Sequence, residues 1–194
     1  MKHGNLNPEY VPAQHAQKEL GINRRACDAL VRSGVLGKTA GGISVQDIKL
    51  LATWKSQKVF TTGKANIDFQ SLFALAVPLT DPKLDIGLGL SASNGLSEAR
   101  DQLAKQGISI VPGQLITGWW SCGLEYVDLL VKGRYPILGV TGGFVVSGGW
   151  VEALAATSDY RQRRAFLVTE MTAEELANFR GHVPEMNQSG IYVA

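Results

Sequence analysis

A short stretch near the start of the chain concentrates side chains that can form hydrogen bonds with bases and phosphates. It carries Asn23, Arg24, Arg25, Asp28 and Arg32. Arginine can donate two parallel hydrogen bonds to guanine, asparagine can pair with adenine, and either residue can also hold a phosphate. These residue types are suited to reading DNA if the backbone places them on one exposed face.

A helix over residues 23–33 would provide that face. Asn23 is a suitable N-cap, because its side chain can accept a hydrogen bond from the first helical turn. Gly34 is a suitable residue for the left-handed position that often follows a helix. Cys27 stands where an aliphatic residue would pack, so we interpret it as a small buried hydrophobe and not as a redox switch.

The turn before this helix has the composition of a helix-turn-helix. Gly21 can adopt the positive φ that such a turn requires. A first helix is predicted over residues 12–20, although Gln17 occupies the position where a small residue usually lies at the helix crossing. The apolar residues that would lock the second helix onto the first are Ile22, Cys27 and Leu30.

A small hairpin and a further helix are predicted next. The glycines in residues 37–42 favour a tight turn between two short strands. Ser44 can cap the following helix, and Asp47 lies in its first turn near the positive end of the helix dipole. The inner face of this helix is assigned to Ile48 and Leu51 with either Leu50 or Ala52, and Trp54 closes it.

Residues 11–57 resemble the winged helix-turn-helix of MerR-like regulators and of phage or plasmid excisionases. The segments that carry the resemblance are Leu20-Gly21-Ile22, Arg24-Arg25, Leu30-Val31, Gly34-Val35-Leu36 and Ser44-Val45-Gln46-Asp47-Ile48. In that family the second helix enters the major groove of DNA and the wing contacts the backbone or the minor groove. The resemblance therefore implies that Lys38 and Thr39, in the wing, contact DNA.

The resemblance stops at this module. MerR regulators continue into a second helical pair and a long dimerisation helix, and residues 66–194 show no such coiled-coil pattern. Paired cysteines for metal sensing are also missing beyond the module. The resemblance thus favours a small regulator of the kind that phages and mobile elements carry, either a repressor or an excisionase-type architectural protein.

Charge and composition agree with this interpretation. Residues 1–65 contain ten Lys or Arg and four Asp or Glu, a net charge of +6, whereas the rest of the chain carries −4. A basic segment on an acidic remainder suggests a polyanionic partner. The polar N-terminus and the lack of a long apolar run predict a cytoplasmic protein without a membrane segment. Neither a metal site nor a cofactor motif is evident.

Two domains are predicted, a winged helix-turn-helix over 1–60 and a larger α+β domain over 66–194. Residues 61–64 are the expected linker. Helices are predicted at 97–106 and after the capping box Thr172-Ala173-Glu174-Glu175, the latter ending near 180–181. Residues 71–79 and 123–131 are left open between helix and strand. The predicted strands are 86–90, 108–111, 137–140, 143–151 and 165–168.

The second domain offers little catalytic chemistry, so the protein is not predicted to be an enzyme. Cys122 has no histidine tied to it by sequence and is interpreted as structural. Residues 125–140 resemble the carboxylate hairpin of restriction-type nucleases only in part, because the second acid and the lysine of that site are absent. A nucleic-acid-processing enzyme with this N-terminal module is the alternative.

Arg163 and Arg164 form a basic cluster with Arg161, which is a candidate second DNA contact. The predicted partner is double-stranded DNA. The sequence leaves open whether the protein binds as a homodimer or as a monomer on an extended site. It also leaves open whether the C-terminal domain serves in dimerisation, in a second DNA contact or in effector binding.

Overall fold

The computed structural model describes residues 9–56, 74–78, 96–158, 162–182 and 191–193. Over these residues the fold is α+β, as predicted, with helices and two separate sheets. The helices in this described part are too short or too polar for any of them to cross a membrane.

The first part of the chain contains a three-stranded antiparallel sheet and three helices. The sheet has the strand order β1-β3-β2. Its elements, in chain order, are β1 (Tyr10–Val11), α1 (Ala13–Leu20), α2 (Arg24–Arg32), β2 (Lys38–Thr39), β3 (Gly42–Ser44) and α3 (Val45–Ser56).

The predicted turn and caps of α2 are confirmed. Gly21 has a φ of 62°, and the amide of Ile22 donates to the carbonyl of Gln17 at 3.0 Å, which ends α1 in a left-handed turn. The side chain of Asn23 accepts a hydrogen bond from the amide of Ala26 at 2.9 Å. Gly34 has a φ of 76° and follows the last turn of α2.

The predicted hairpin, formed by β2 and β3 and called the wing below, is present, and so is the predicted helix after it. Lys38 pairs with Ile43 and Thr39 with Gly42, which leaves a two-residue turn between β2 and β3. The hydroxyl of Ser44 accepts a hydrogen bond from the amide of Asp47 at 3.3 Å. On α3, Ala52 is half-buried and Leu50 is 48% exposed, so the structure selects Ala52 for the inner face.

The rest of the chain builds a larger sheet with the order β10-β4-β7-β8-β9-β5, and β6 also pairs with β9. Its pairs are antiparallel except for β4 and β7, which run parallel. The elements are β4 (Ala74–Pro78), α4 (Leu96–Lys105), β5 (Gln114–Ile116), β6 (Trp120–Ser121), α5 (Leu124–Gly133), β7 (Pro136–Thr141), β8 (Phe144–Ser158), β9 (Arg163–Glu170), α6 (Ala173–Ala177) and β10 (Ile191–Val193).

Helices α4 and α5 cover opposite faces of this sheet. Phe166 and Val168 on β9 belong to the core that includes Val127 and Leu130 of α5. The intervening Leu167 belongs to a second core with Leu103 of α4. Because alternate residues of a strand point to opposite faces, the sheet is buried from both sides.

Four expectations for this region are decided or corrected by the structure. Residues 124–133 form a helix, and residues 74–78 form a strand. Residues 108–111 are not a strand, because the amide of Val111 is instead bonded to the side chain of Gln114, whose strand β5 begins three residues later. The capping box at Thr172 is confirmed, but helix α6 ends already at Ala177.

The expected linker at 61–64 and the expected strand at 86–90 lie outside the described residues.

Candidate nucleic-acid interface

Helix α2 has one buried face and one exposed face, and the arginines lie on the exposed one. Cys27 and Leu30 are almost completely buried in the N-terminal core. Arg24, Arg25 and Arg32 are all exposed. The structure therefore places these predicted side chains in solvent on a helix that is anchored from behind.

Three of the predicted residues share a stripe along this helix. Arg25, Asp28 and Arg32 are spaced so that they project in nearly the same direction. Arg24 lies beside the stripe, and its Nε is 3.8 Å from a carboxylate oxygen of Asp28. The side chain of Arg24 is 87% exposed and that of Asp28 is 49% exposed, so this ion pair contributes little to stability and can open toward a ligand.

Asn23 is exposed, but its side chain already makes a hydrogen bond within the protein. Its Oδ1 caps α2 through the amide of Ala26. Pairing with adenine needs the amide oxygen and nitrogen of asparagine together. While the cap is in place, Asn23 can offer only its Nδ2 donor, which suits a phosphate better than a base.

The wing places Lys38 and Thr39 in exposed positions next to α2. Burial raises the pKa of Cys27 and Asp28 raises it further, while the charge of Lys38 opposes both effects. Lys38 is thus close enough to α2 to act electrostatically on Cys27. The hydroxyl of Thr39 accepts a hydrogen bond from the amide of Gly41 at 3.2 Å, which stabilises the turn of the wing.

Asp47 attaches the wing to helix α3. Its Oδ2 accepts a hydrogen bond from the amide of Gly37 at 2.7 Å, immediately before strand β2. The sequence predicted Asp47 only as a favourable charge near the helix N-terminus. The structure adds that this carboxylate fixes the base of the wing.

The two arginines of the predicted second contact differ in exposure. Arg163 is half-buried at the start of β9. Arg164 is only 8% exposed, and its Nη1 donates to the carbonyl oxygens of Ser158 and Arg163 at 3.3 and 2.8 Å. The guanidinium of Arg164 is therefore largely occupied, and of these two described arginines Arg163 is the remaining candidate for a phosphate contact; Arg161 lies outside the described residues.

Catalytic groupings are not evident in the described part of the chain. No cluster of three or more His, Cys, Asp or Glu side chains that could hold a metal ion is found there. Glu125 and Asp128, the acids of the nuclease-like segment, lie on helix α5 and not on a hairpin. Cys122 is buried under α5, whereas His182 packs edge-on against the ring of Phe144 at a distance of 5.1 Å.

Sequence reasoning missed the residues that connect α2 and α3 to the larger sheet. Phe144, the first residue of β8, is fully buried in the core of the N-terminal helices. The guanidinium of Arg180 lies 4.8 Å from the ring centre of Trp54 on α3. No local signal marks these contacts, because each joins residues that are far apart in the chain.

An open groove of about 410 Å³ lies elsewhere on the N-terminal unit. It is lined by β1 and the start of α3, with Glu9, Tyr10, Ser44, Val45, Gln46 and Lys49. None of the predicted DNA-contacting residues lines it, so it is separate from the α2 surface.

Comparisons with known protein families, with curated proteins and with solved structures found no match to this chain. The case for a function therefore rests on the geometry of the α2 and wing surface.

Proposed function

We propose that this protein is a sequence-specific DNA-binding regulator of transcription. Helix α2 would enter the major groove, and the β2–β3 wing would lie along the neighbouring backbone. The observation that carries the proposal is the exposed arginine face of α2, set opposite a face that is buried in the core. A cationic face on an anchored helix is the arrangement that helix-turn-helix proteins use for reading bases.

The dimensions of α2 are compatible with this role. The helix has nine residues, and an α-helix with its side chains is about 10–12 Å across. The major groove is about 12 Å wide and admits one α-helix. Arg24 and Arg25 lie in the first turn, the part of a recognition helix that usually meets the base edges. Arg32, in the last turn, is better placed for a phosphate.

Selection of bound sites from random DNA, followed by mobility-shift titration, tests the proposal. Replacing Arg24 and Arg25 by alanine should weaken the free energy of binding to the selected site by about 1–3 kcal/mol for each base contact that is lost. The matched control removes two exposed cations from helix α4, as Arg100→Ala with Lys105→Ala. We expect the control to bind nearly as well as the wild type. Equal losses in both variants would mean that only net charge matters.

The salt dependence of binding assigns the phosphate contacts. Each lost phosphate contact lowers the slope of log affinity against log salt by about 0.9. Lys38→Ala should reduce the slope by about one such unit if the wing contacts the backbone. Arg163→Ala provides the same test for the second cluster, and an unchanged slope would exclude Arg163 from the interface.

The other activities that the sequence leaves open are separated by two further assays. Circular-permutation mobility shifts on the selected site measure bending, which an architectural, excisionase-type protein would produce strongly. Incubation with supercoiled plasmid and Mg²⁺ tests for strand cleavage. We expect weak bending and no cleavage from a transcriptional regulator.

A further inference from the structure

The turn between β7 and β8 is in direct contact with the back of helix α2. Its two central residues, Gly142 and Gly143, have φ values of 59° and 86°, and the flanking Thr141 and Phe144 form the last pair of the hairpin. This is the conformation of a two-residue hairpin turn with positive φ at both positions. The hairpin therefore projects a tight, rigid end toward the N-terminal unit.

The contact is made by backbone, without any intervening side chain from the turn. A Cβ placed on Gly142 would lie 3.2 Å from the Cβ of Ala26 and 3.3 Å from a methyl group of Leu30. Ala26 and Leu30 are one helical turn apart and lie away from the exposed stripe of Arg25 and Arg32. The turn thus supports α2 from the side opposite its arginine face.

Phe144 extends this support into the core. Its ring is fully buried in the cluster that includes Leu30 of α2, Ile48 and Leu51 of α3, and Leu36 before the wing. One side chain of the larger sheet therefore touches the core that all the elements of the candidate DNA surface share.

A second set of contacts holds α3 to the same hairpin. The Nη1 of Arg180 donates to the carbonyl of Val145 at 2.8 Å, and the amide of Val145 donates to the carbonyl of Gly181 at 3.1 Å. The guanidinium of Arg180 also lies over the ring of Trp54 on α3. Helices α2 and α3 are consequently both fixed to the strand β8.

We propose that the β7–β8 turn is a positioning element of the DNA-reading surface, through which the larger sheet controls the placement of α2. This inference rests on the proposed function, because it assigns to the sheet a role in DNA affinity. It implies that any change in the sheet that moves the turn, such as the binding of an effector or of a second copy, is transmitted to the arginine face. Gly142 and Phe144 are then positioning residues that do not themselves contact DNA.

The test compares two glycine-to-alanine variants in the full chain. Gly142 has a φ of 59° and meets α2, whereas Gly107, after helix α4, has a φ of 72° with nothing within 4 Å of its added Cβ. Both substitutions put alanine into a left-handed conformation and carry a similar backbone cost. Only Gly142→Ala also pushes on α2, so the difference between the variants reports the contact.

We expect Gly142→Ala to bind the selected DNA site about tenfold more weakly than Gly107→Ala. A tenfold change lies within the range of interaction free energies measured between residues in contact. Hydrogen exchange of the α2 amides should change in Gly142→Ala and not in Gly107→Ala. Adding Ala26→Gly removes the methyl group that the new Cβ meets. It should restore part of the affinity in the Gly142→Ala background and none in the Gly107→Ala background. A merely destabilising substitution would not show this selective rescue.

The outcomes separate this inference from the proposed function. If the wild type binds its site and the two glycine variants bind equally well, the positioning role is overturned and the proposed function stands. If no site is selected by the wild type, the proposed function fails. In that case the α2 exchange difference still decides whether the turn positions the helix. If binding falls without a change in α2 exchange and without rescue by Ala26→Gly, the contact does not act through α2 and the inference is again overturned.

Discussion

Phe144 belongs by its backbone to the larger sheet and by its ring to the core of the N-terminal helices. Replacing it by alanine therefore asks whether the two parts of the protein unfold together. If the N-terminal unit (residues 9–56) were an independent domain, its stability would not depend on a residue of β8. The structure predicts the opposite, because the ring is fully buried in the N-terminal cluster.

The size of the effect follows from the environment of the ring. Phe144 is 0% exposed and its ring centre is 5.1 Å from that of His182, in an edge-to-face arrangement. Truncation of a buried phenylalanine to alanine costs about 3–5 kcal/mol, from lost transfer free energy and the cavity that remains. The aromatic pair accounts for about 0.5–1.5 kcal/mol beyond the buried area. Together these terms predict a loss of about 5 kcal/mol in the free energy of unfolding, a large part of the roughly 5–15 kcal/mol that stabilises a typical domain.

Urea unfolding and native-state hydrogen exchange provide the assay. The free energy of unfolding should fall by the expected amount for Phe144→Ala, and by clearly less for Phe144→Leu, which leaves a smaller cavity but also loses the aromatic pair with His182. Peptides from α1–α3 and peptides from β8–β9 should lose the same amount of protection, because Phe144 is part of strand β8, which pairs with β9, and its ring is part of the core of the N-terminal helices. Exposed Leu124, on α5, gives a control truncation with little expected effect.

Two results would refute this reasoning. A loss below about 1 kcal/mol would mean that the ring is not held in a packed core. A loss that is confined to the β8–β9 peptides, with α1–α3 unchanged, would mean that the N-terminal unit is stable without Phe144.

Three further predictions concern single interactions. Asn23→Ala should lower the free energy of unfolding by about 1 kcal/mol through loss of the α2 cap, while Asn23→Asp should retain it, as measured by urea denaturation. Asp47→Ala should lower the free energy of unfolding by about 1–3 kcal/mol, because the amide of Gly37 loses its acceptor. Hydrogen exchange of the wing amides should become faster. An unchanged exchange rate there would contradict the role assigned to Asp47. Burial lowers the pKa of His182, and the nearby charge of Lys55 lowers it further. The folded state thus favours the neutral imidazole, so stability should be complete above about pH 6.5, where the unfolded histidine is also neutral, and should fall as the pH drops below it. Thermal unfolding of His182→Asn should lack this part of the pH dependence, and an identical pH profile in both proteins would refute it.

The features that were predicted correctly from sequence are local ones. The left-handed Gly21, the Asn23 cap, Gly34 after α2 and the capping box at Thr172 each depend on backbone groups a few residues away. The same holds for the wing, whose glycines permit a two-residue turn. Such features can be read from a single stretch of chain because every partner of the interaction lies within it.

The features that could not be predicted depend on distant partners. The apolar pattern of α5 fits a helix or a strand equally well, and only its packing over β9 decides between them. Strand β1 exists because Tyr10 and Val11 pair with the far side of β3. Arg164 looks like a surface cation in the sequence, yet its pairing with β6 and β8 buries it.

The sequence by itself determined the chemistry of the exposed α2 face and the local geometry that presents it. The exposed face consists of Arg24, Arg25 and Arg32, and the capping residues lie at the ends of the same short stretch. A stretch of that length is sufficient to form one amphipathic helix. The tertiary structure alone decided what supports that helix. The contacts of Gly142 and Phe144 with its buried side arise when the β7–β8 hairpin folds against the N-terminal unit, and close packing between distant segments leaves no periodic signal in the chain.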